Sequence, residues 1–178
     1  WSPDGNTIAF TSWEDSVSGH LWKVPATGGL PERLTRAAGE YIHPSWSRDG
    51  REIVLARGAG ESRHGRGVLW NQFWDLVRVN ANGGDAQLVT RVTMSADGSA
   101  ASVFNSIRNQ IVRPAYGPDG RIFYPHLSAS GSTTETVLYS IRPDGSDRRA
   151  HLSFPLADEV AVSPDGKWVA FQESDNVW

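Results

Sequence analysis

The chain has 178 residues, 39% of them hydrophobic, with eight tryptophans, a formal net charge of −3 and no cysteine. That length can bury a real core. The missing cysteines exclude disulfides, Cys-ligated zinc and thiol catalysis, and the acidic balance offers nucleic acid no basic face.

The chain opens on a turn. Ser2-Pro3-Asp4-Gly5 has proline preset at the second position, a serine able to bond back to the backbone and a glycine that accepts positive φ. Apolar Ile8-Ala9-Phe10 follows, then a strand at LWKVP (21–25), a TGG turn (27–29) and a short strand at ERLT (32–35). The same order returns. WSRDG (46–50) leads into Ile53-Val54-Leu55, DLVRVN (75–80), NGG (82–84) and AQLVT (86–90). YGPDG (116–120) leads into Ile122-Phe123-Tyr124, VLYSIR (137–142), PDG (143–145) and RAHLS (149–153). VSPDG (162–166) leads into Val169-Ala170-Phe171, and a looser SADG stands at 95–98. The turn aspartates 4, 49, 119 and 165 lie 45, 70 and 46 residues apart. Four antiparallel strands recurring with a period in the forties is the anatomy of a β-propeller blade.

The expected fold is all-β: a β-propeller fragment of about three and a half four-stranded antiparallel blades. Its blades span approximately 1–36, 41–90, 111–154 and 158–178, the last incomplete, with an insertion at 91–110. The first blade lacks most of its innermost strand. The two ends do not complement one another, so a larger parent propeller is expected; a small closed ring of about four blades is the alternative. Open blade edges and bare faces favour homo-oligomers. The apolar triplet starts three residues after the turn glycine in three copies but two after Gly120. An altered turn or a bulge is expected there, because side chains must keep to their faces. Helical periodicity is poor; its best stretch, 102–111, carries β-branched residues and asparagine. No apolar run approaches the ~18 residues of a membrane helix, so no membrane span is expected.

Catalytic, cofactor and metal motifs are not found. His20, His43, His64, His126 and His151 show neither His-x-His nor HExxH spacing. There is no GxSxG elbow, and GAGES (58–62) lacks the GK[ST] of a phosphate loop. His43 precedes Pro44 in an inner strand that borders the central channel; a hydrogen-bonded strand histidine is the plainer reading. The turn aspartates read as turn formers. The loop 57–74 is the most individual feature. Arg63, His64 and Arg66 with Trp70, Phe73 and Trp74 are residue types that carry binding hot spots, and long loops on rigid scaffolds carry contacts. The competing reading packs its tryptophans between blades and leaves its arginines in water. The loop 126–136 reads as polar and mobile.

WSPDGNTIAF, LWKVPATGG and ERLT resemble the WD40-like PD40 repeat of TolB-type propellers, also found in propellers of tricorn-like and prolyl-oligopeptidase-family proteins. The run 137–178 and the loop 60–79 resemble the propeller that precedes the hydrolase in some bacterial amidohydrolase-family proteins. These resemblances imply a non-catalytic scaffold or binding region of a larger exported amidohydrolase-like protein, periplasmic or extracellular, whose partner is a protein or its own catalytic domain. No cofactor is implied for the propeller. Two alternatives share the blades: a TolB-like protein-binding module, and the gating propeller of a prolyl-oligopeptidase-type serine peptidase. The sequence that follows Trp178 in the gene separates the three.

Overall fold

The computed structural model describes residues 1–60, 73–93, 112–130, 133–155, 157, 159–173 and 176–177. Among them the repeated turn is closed by its own side chains. Ser2 Oγ donates to Asp4 Oδ1 at 2.6 Å and accepts the Thr7 N–H at 2.9 Å, while Asp4 Oδ1 also takes the Asn6 N–H at 3.1 Å. Ser47 with Asp49 and Ser163 with Asp165 repeat this pattern at 2.7 and 2.6 Å. The third copy differs, as its shorter spacing predicts. Gly117 N–H donates to Arg121 O, four residues on, where Ser2 reaches Thr7, five on. A Cβ at Gly117 would lie 2.4 Å from the Phe123 ring, so the packing of Phe123 requires the glycine and forgoes the serine hydroxyl.

The turns at 47–50, 117–120 and 163–166 each join the first two strands of a sheet, and the turn at 2–5 leads into the first strand of its sheet. The first sheet is β1 (Thr7–Thr11), β2 (Leu21–Pro25) and β3 (Glu32–Arg33), in that order. The second is β4 (Glu40–Trp46), β5 (Glu52–Gly58), β6 (Phe73–Asn80) and β7 (Gln87–Thr93). The third is β8 (Ala115–Tyr116), β9 (Ile122–Ser130), β10 (Thr133–Ile141) and β11 (Arg149–Pro155). The fourth is β12 (Glu159–Val162), β13 (Val169–Glu173) and β14 (Asn176–Val177). All strand pairs within the sheets are antiparallel, and no helix occurs among the described residues.

The sheets stack face to face, with one apolar cluster in each seam. Strand β5 shows why. Ile53 and Leu55 point one way and join Leu21 and Leu34 of the first sheet; Val54 and Ala56 point the other way and join Ile122 and Tyr124 of the third. A strand buried on both faces needs a continuous apolar run, which Ile53-Val54-Leu55-Ala56 supplies. Each side chain of leucine size taken from water contributes about 1.5–3 kcal/mol. Leu138 and Phe154 meet Ala157 and Val160 in the last seam, where the Phe154 and Phe171 rings are 4.5 Å apart.

The structure changes three sequence expectations. Residues 91–93 of the expected insertion continue β7, pairing Arg91 with Asp75 and Val92 with Trp74; 94–110, with the SADG turn and the 102–111 stretch, lie outside the described residues. The 126–136 loop is a hairpin: β9 and β10 stay in register from Val137↔His126 to Thr133↔Ser130. ERLT is a strand only at Glu32–Arg33. Leu34 turns into the core, and Thr35 bridges to Gly84 of the next sheet.

Candidate functional site at the inner-strand ends

Of the six loop residues singled out by sequence, Arg63, His64, Arg66 and Trp70 lie outside the described residues. Phe73 opens β6 and lies 3.8 Å beneath the Arg91 guanidinium. Trp74 is 2% exposed and belongs to the core between the second and third sheets, so it offers no surface. Arg91 is tied down: Asp75, itself 4% exposed, accepts from Arg91 Nε at 2.7 Å and from Arg57 Nη2 at 3.1 Å. This ion-pair row runs across β5, β6 and β7 and holds the sheet beside the loop.

The histidines separate by neighbour. His20 Nδ1 meets Thr35 Oγ1 at 3.0 Å, and His151 Nε2 meets Ser140 Oγ at 2.7 Å. That Ser–His contact is no nucleophile, because Ser140 is wholly buried and also takes the Arg121 Nε–H at 2.8 Å. His126 Nε2–H donates to Thr93 O at 2.9 Å, and burial pushes its pKa down to about 4, with Arg148 adding to the fall. Among the described residues no three His, Asp or Glu side chains gather to hold a metal ion.

One position brings unlike polar groups together. Strands β4, β8 and β12 each lie at one edge of their sheet, immediately before a turn. Trp46, Tyr116 and Val162 stand just ahead of those turns, and three residues earlier stand His43, Arg113 and Glu159. Arg113 Nη2 is 2.7 Å from Glu159 Oε1, linking the third sheet to the fourth. His43 is half-buried with both as its charged neighbours; burial pushes its pKa down to about 4, Arg113 adds to the fall and Glu159 opposes it. At neutral pH its ring is therefore uncharged.

A β-bulge aims His43. The pairing of β4 with β5 slips between Ile42 and Ser45, so His43 and Pro44 together oppose Leu55. His43 takes φ +53°, a left-handed conformation that costs a side-chain-bearing residue free energy and recurs where function demands it. Repeat arithmetic alone could have found this trio, by counting back three residues from each turn. Pro44, which has no N–H to give the ladder, is the sequence sign of the bulge.

No family model matches the chain. Over 149 residues it is 30% identical to the uncharacterized peptidase YuxL of Bacillus subtilis, covering 76% of this chain and 22% of the relative. It is 25% identical over 175 residues to the uncharacterized protein Atu1656 of Agrobacterium fabrum, covering 98% of this chain and 50% of the relative. The chain thus spans half or less of the length of these curated relatives. Among solved structures, TolB from Acinetobacter baumannii superposes with a TM-score of 0.64 at 19% identity, over 99% of this chain and 38% of that one. With four antiparallel sheets stacked around their inner strands and this likeness, the chain has the fold of a TolB-like β-propeller.

Proposed function

We propose that the chain is a non-catalytic propeller region of a larger exported protein, periplasmic or extracellular, and that it binds a protein segment or its own catalytic domain. Binding takes place on the face where β4, β8 and β12 begin. The observation that carries this reading is the trio His43, Arg113 and Glu159. Three equivalent positions of three sheets hold a neutral imidazole, a cation and an anion, and one of them is turned into place by a bulge. A repeat kept only for packing gains nothing from charge at such a position, whereas a recognition face does.

A peptidase propeller that restricts access to a neighbouring active site is the second reading, favoured by the match to YuxL. The amidohydrolase-type parent rests on the sequence resemblance of 137–178 and 60–79 alone. Exposed Trp1, Leu30 and Trp168, at 71%, 93% and 75%, support self-association of the isolated chain. A monomeric mass by light scattering at high concentration contradicts it.

The test has two arms. The purified chain is expected to hydrolyse neither ester nor amide substrates, with or without added zinc. Proteins selected on it by display are expected to lose binding to the Arg113→Glu variant. Chelator-sensitive turnover, or binders indifferent to that substitution, contradicts the proposal.

A further inference from the structure

Resting on that reading, we infer that the inner-strand face takes an uncharged, extended peptide segment and seats one apolar side chain in the cleft between the third and fourth sheets. The cleft holds about 210 Å³ and is walled by Pro114, Phe123, Pro125, Leu138, Val160 and Val162. That is smaller than the ~300–1,000 Å³ of a typical small-molecule site and of the right order for a single leucine or phenylalanine side chain. Arg113 and Glu159 line the same cleft.

Their charges select the ligand. The pair is partly exposed, at 38% and 52% of the side chains, and sums to zero. A free anion drawn to Arg113 meets Glu159, and a cation drawn to Glu159 meets Arg113. A peptide amide suits both, giving a carbonyl to the guanidinium and an N–H to the carboxylate. Arg113 has a donor to spare: Nη2 holds Glu159, while its buried Nε–H has no acceptor among the described residues. An orphan donor of this kind calls for an acceptor that the described residues do not supply. The backbone is ready as well. Strands β8 and β12 each have one unpaired edge, and an extended segment laid along such an edge gains main-chain hydrogen bonds while alternate side chains enter pockets.

The probe is N-acetyl-Gly-Leu-Gly-amide, titrated into the 178-residue chain and followed by amide chemical shifts. Saturable shifts confined to 113–116, 159–162 and the cleft wall at 123–126 and 138 are expected, with a Kd on the order of millimolar for so small a ligand. The matching serine peptide should bind about fivefold more weakly or worse. Val162 walls the cleft from the same strand face as Val160 and is only half-buried, so Val162→Phe should plug it and abolish binding while the chain stays folded by circular dichroism. Equal affinity for the leucine and serine probes overturns the inference. So does about tenfold tighter binding of the free acid N-acetyl-Gly-Leu, the mark of an anion site, and so does the absence of shifts at about 20 mM, far above that Kd. If display-selected proteins still dock through Arg113 while the leucine probe fails, the inference falls and the proposed function stands. If the probe binds but no selected protein senses Arg113→Glu, the proposed function falls instead.

Discussion

The seam between the first and second sheets and the seam between the third and fourth join the same kinds of strand, yet the apolar core of the first is the more completely buried. Its cleft of about 530 Å³ lies at the turn end among polar residues such as Asp4, Lys23, Glu32 and Asp49, whereas the last seam keeps an apolar cleft against its core. In the first, Leu21, Leu34, Tyr41, Ile53, Leu55, Val77 and Val79 are each at most 2% exposed. Backbone bonds stitch it: Gly84 N–H to Leu34 O at 2.8 Å, and Gly19 and Gly39 to each other at 3.0 Å. In the last seam Phe154 and Val160 keep 7% and 8% exposure, and a cleft remains beside a solvent-facing ion pair. Residue choice explains the contrast. β5 carries large side chains on both faces, whereas β12 reads Glu-Val-Ala-Val and leaves Glu159 and Ala161 outside. The denser core of the first seam supplies stability, and the last seam keeps an apolar cleft of the size of one side chain.

The sharpest way to break this comparison is a truncation in each seam. Leu55→Ala should cost about 3 kcal/mol in urea unfolding, because a fully buried leucine leaves a cavity in dense packing. Val162→Ala, half-buried at the last seam, should cost about 1 kcal/mol or less. Equal costs would erase the distinction. Next comes Asp75→Ala, expected to cost about 2 kcal/mol, since Arg57 and Arg91 then lose their shared buried partner; the arginines' partial exposure softens the loss.

Acid sharpens the comparison further. Folded His43 and His126 titrate near pH 4, against an ordinary value of 6.5. As pH falls through 6.5 the unfolded chain takes up protons that the folded chain refuses until about pH 4. The histidines' share of the stability should therefore fall across that window and level below it. Carboxylates such as Asp75, whose pKa burial raises but hydrogen bonds from Arg91 and Arg57 hold low, carry the fall further into acid. His43→Gln, read by urea midpoints at several pH values, should flatten the slope, leaving the shares due to His126 and to His20, whose pKa burial also lowers; an unchanged slope contradicts the buried placement of His43. The smallest effect belongs to Arg113→Gln, which should change stability by no more than about 0.5 kcal/mol, as partly exposed pairs do, while it removes binding.

Much of the fold was legible because the repeated turn encodes itself. Serine, aspartate and glycine close it by local hydrogen bonds, so four copies announced four sheets, and the one-residue deficit after Gly120 announced the altered turn at Gly117. The hairpin at 126–136 was misread because its polar composition hides a pairing that only the strand ladder reveals. The loop candidates failed to single out a surface at Trp74 for a related reason: hot-spot residue types are core residue types too, and burial decides between them. The trio at 43, 113 and 159 stayed hidden because its members share a position and not a chemistry, and because a register slip aims one of them.

The most direct test is amide hydrogen exchange of the chain, free and bound to a display-selected protein. The account predicts slowest exchange in β5 and β6 of the free chain, faster exchange in β12 and β13, and protection on binding concentrated at 43–46, 113–116 and 159–162. Uniform exchange in the free chain, or protection confined to the turns at 2–5, 47–50 and 163–166, would contradict it.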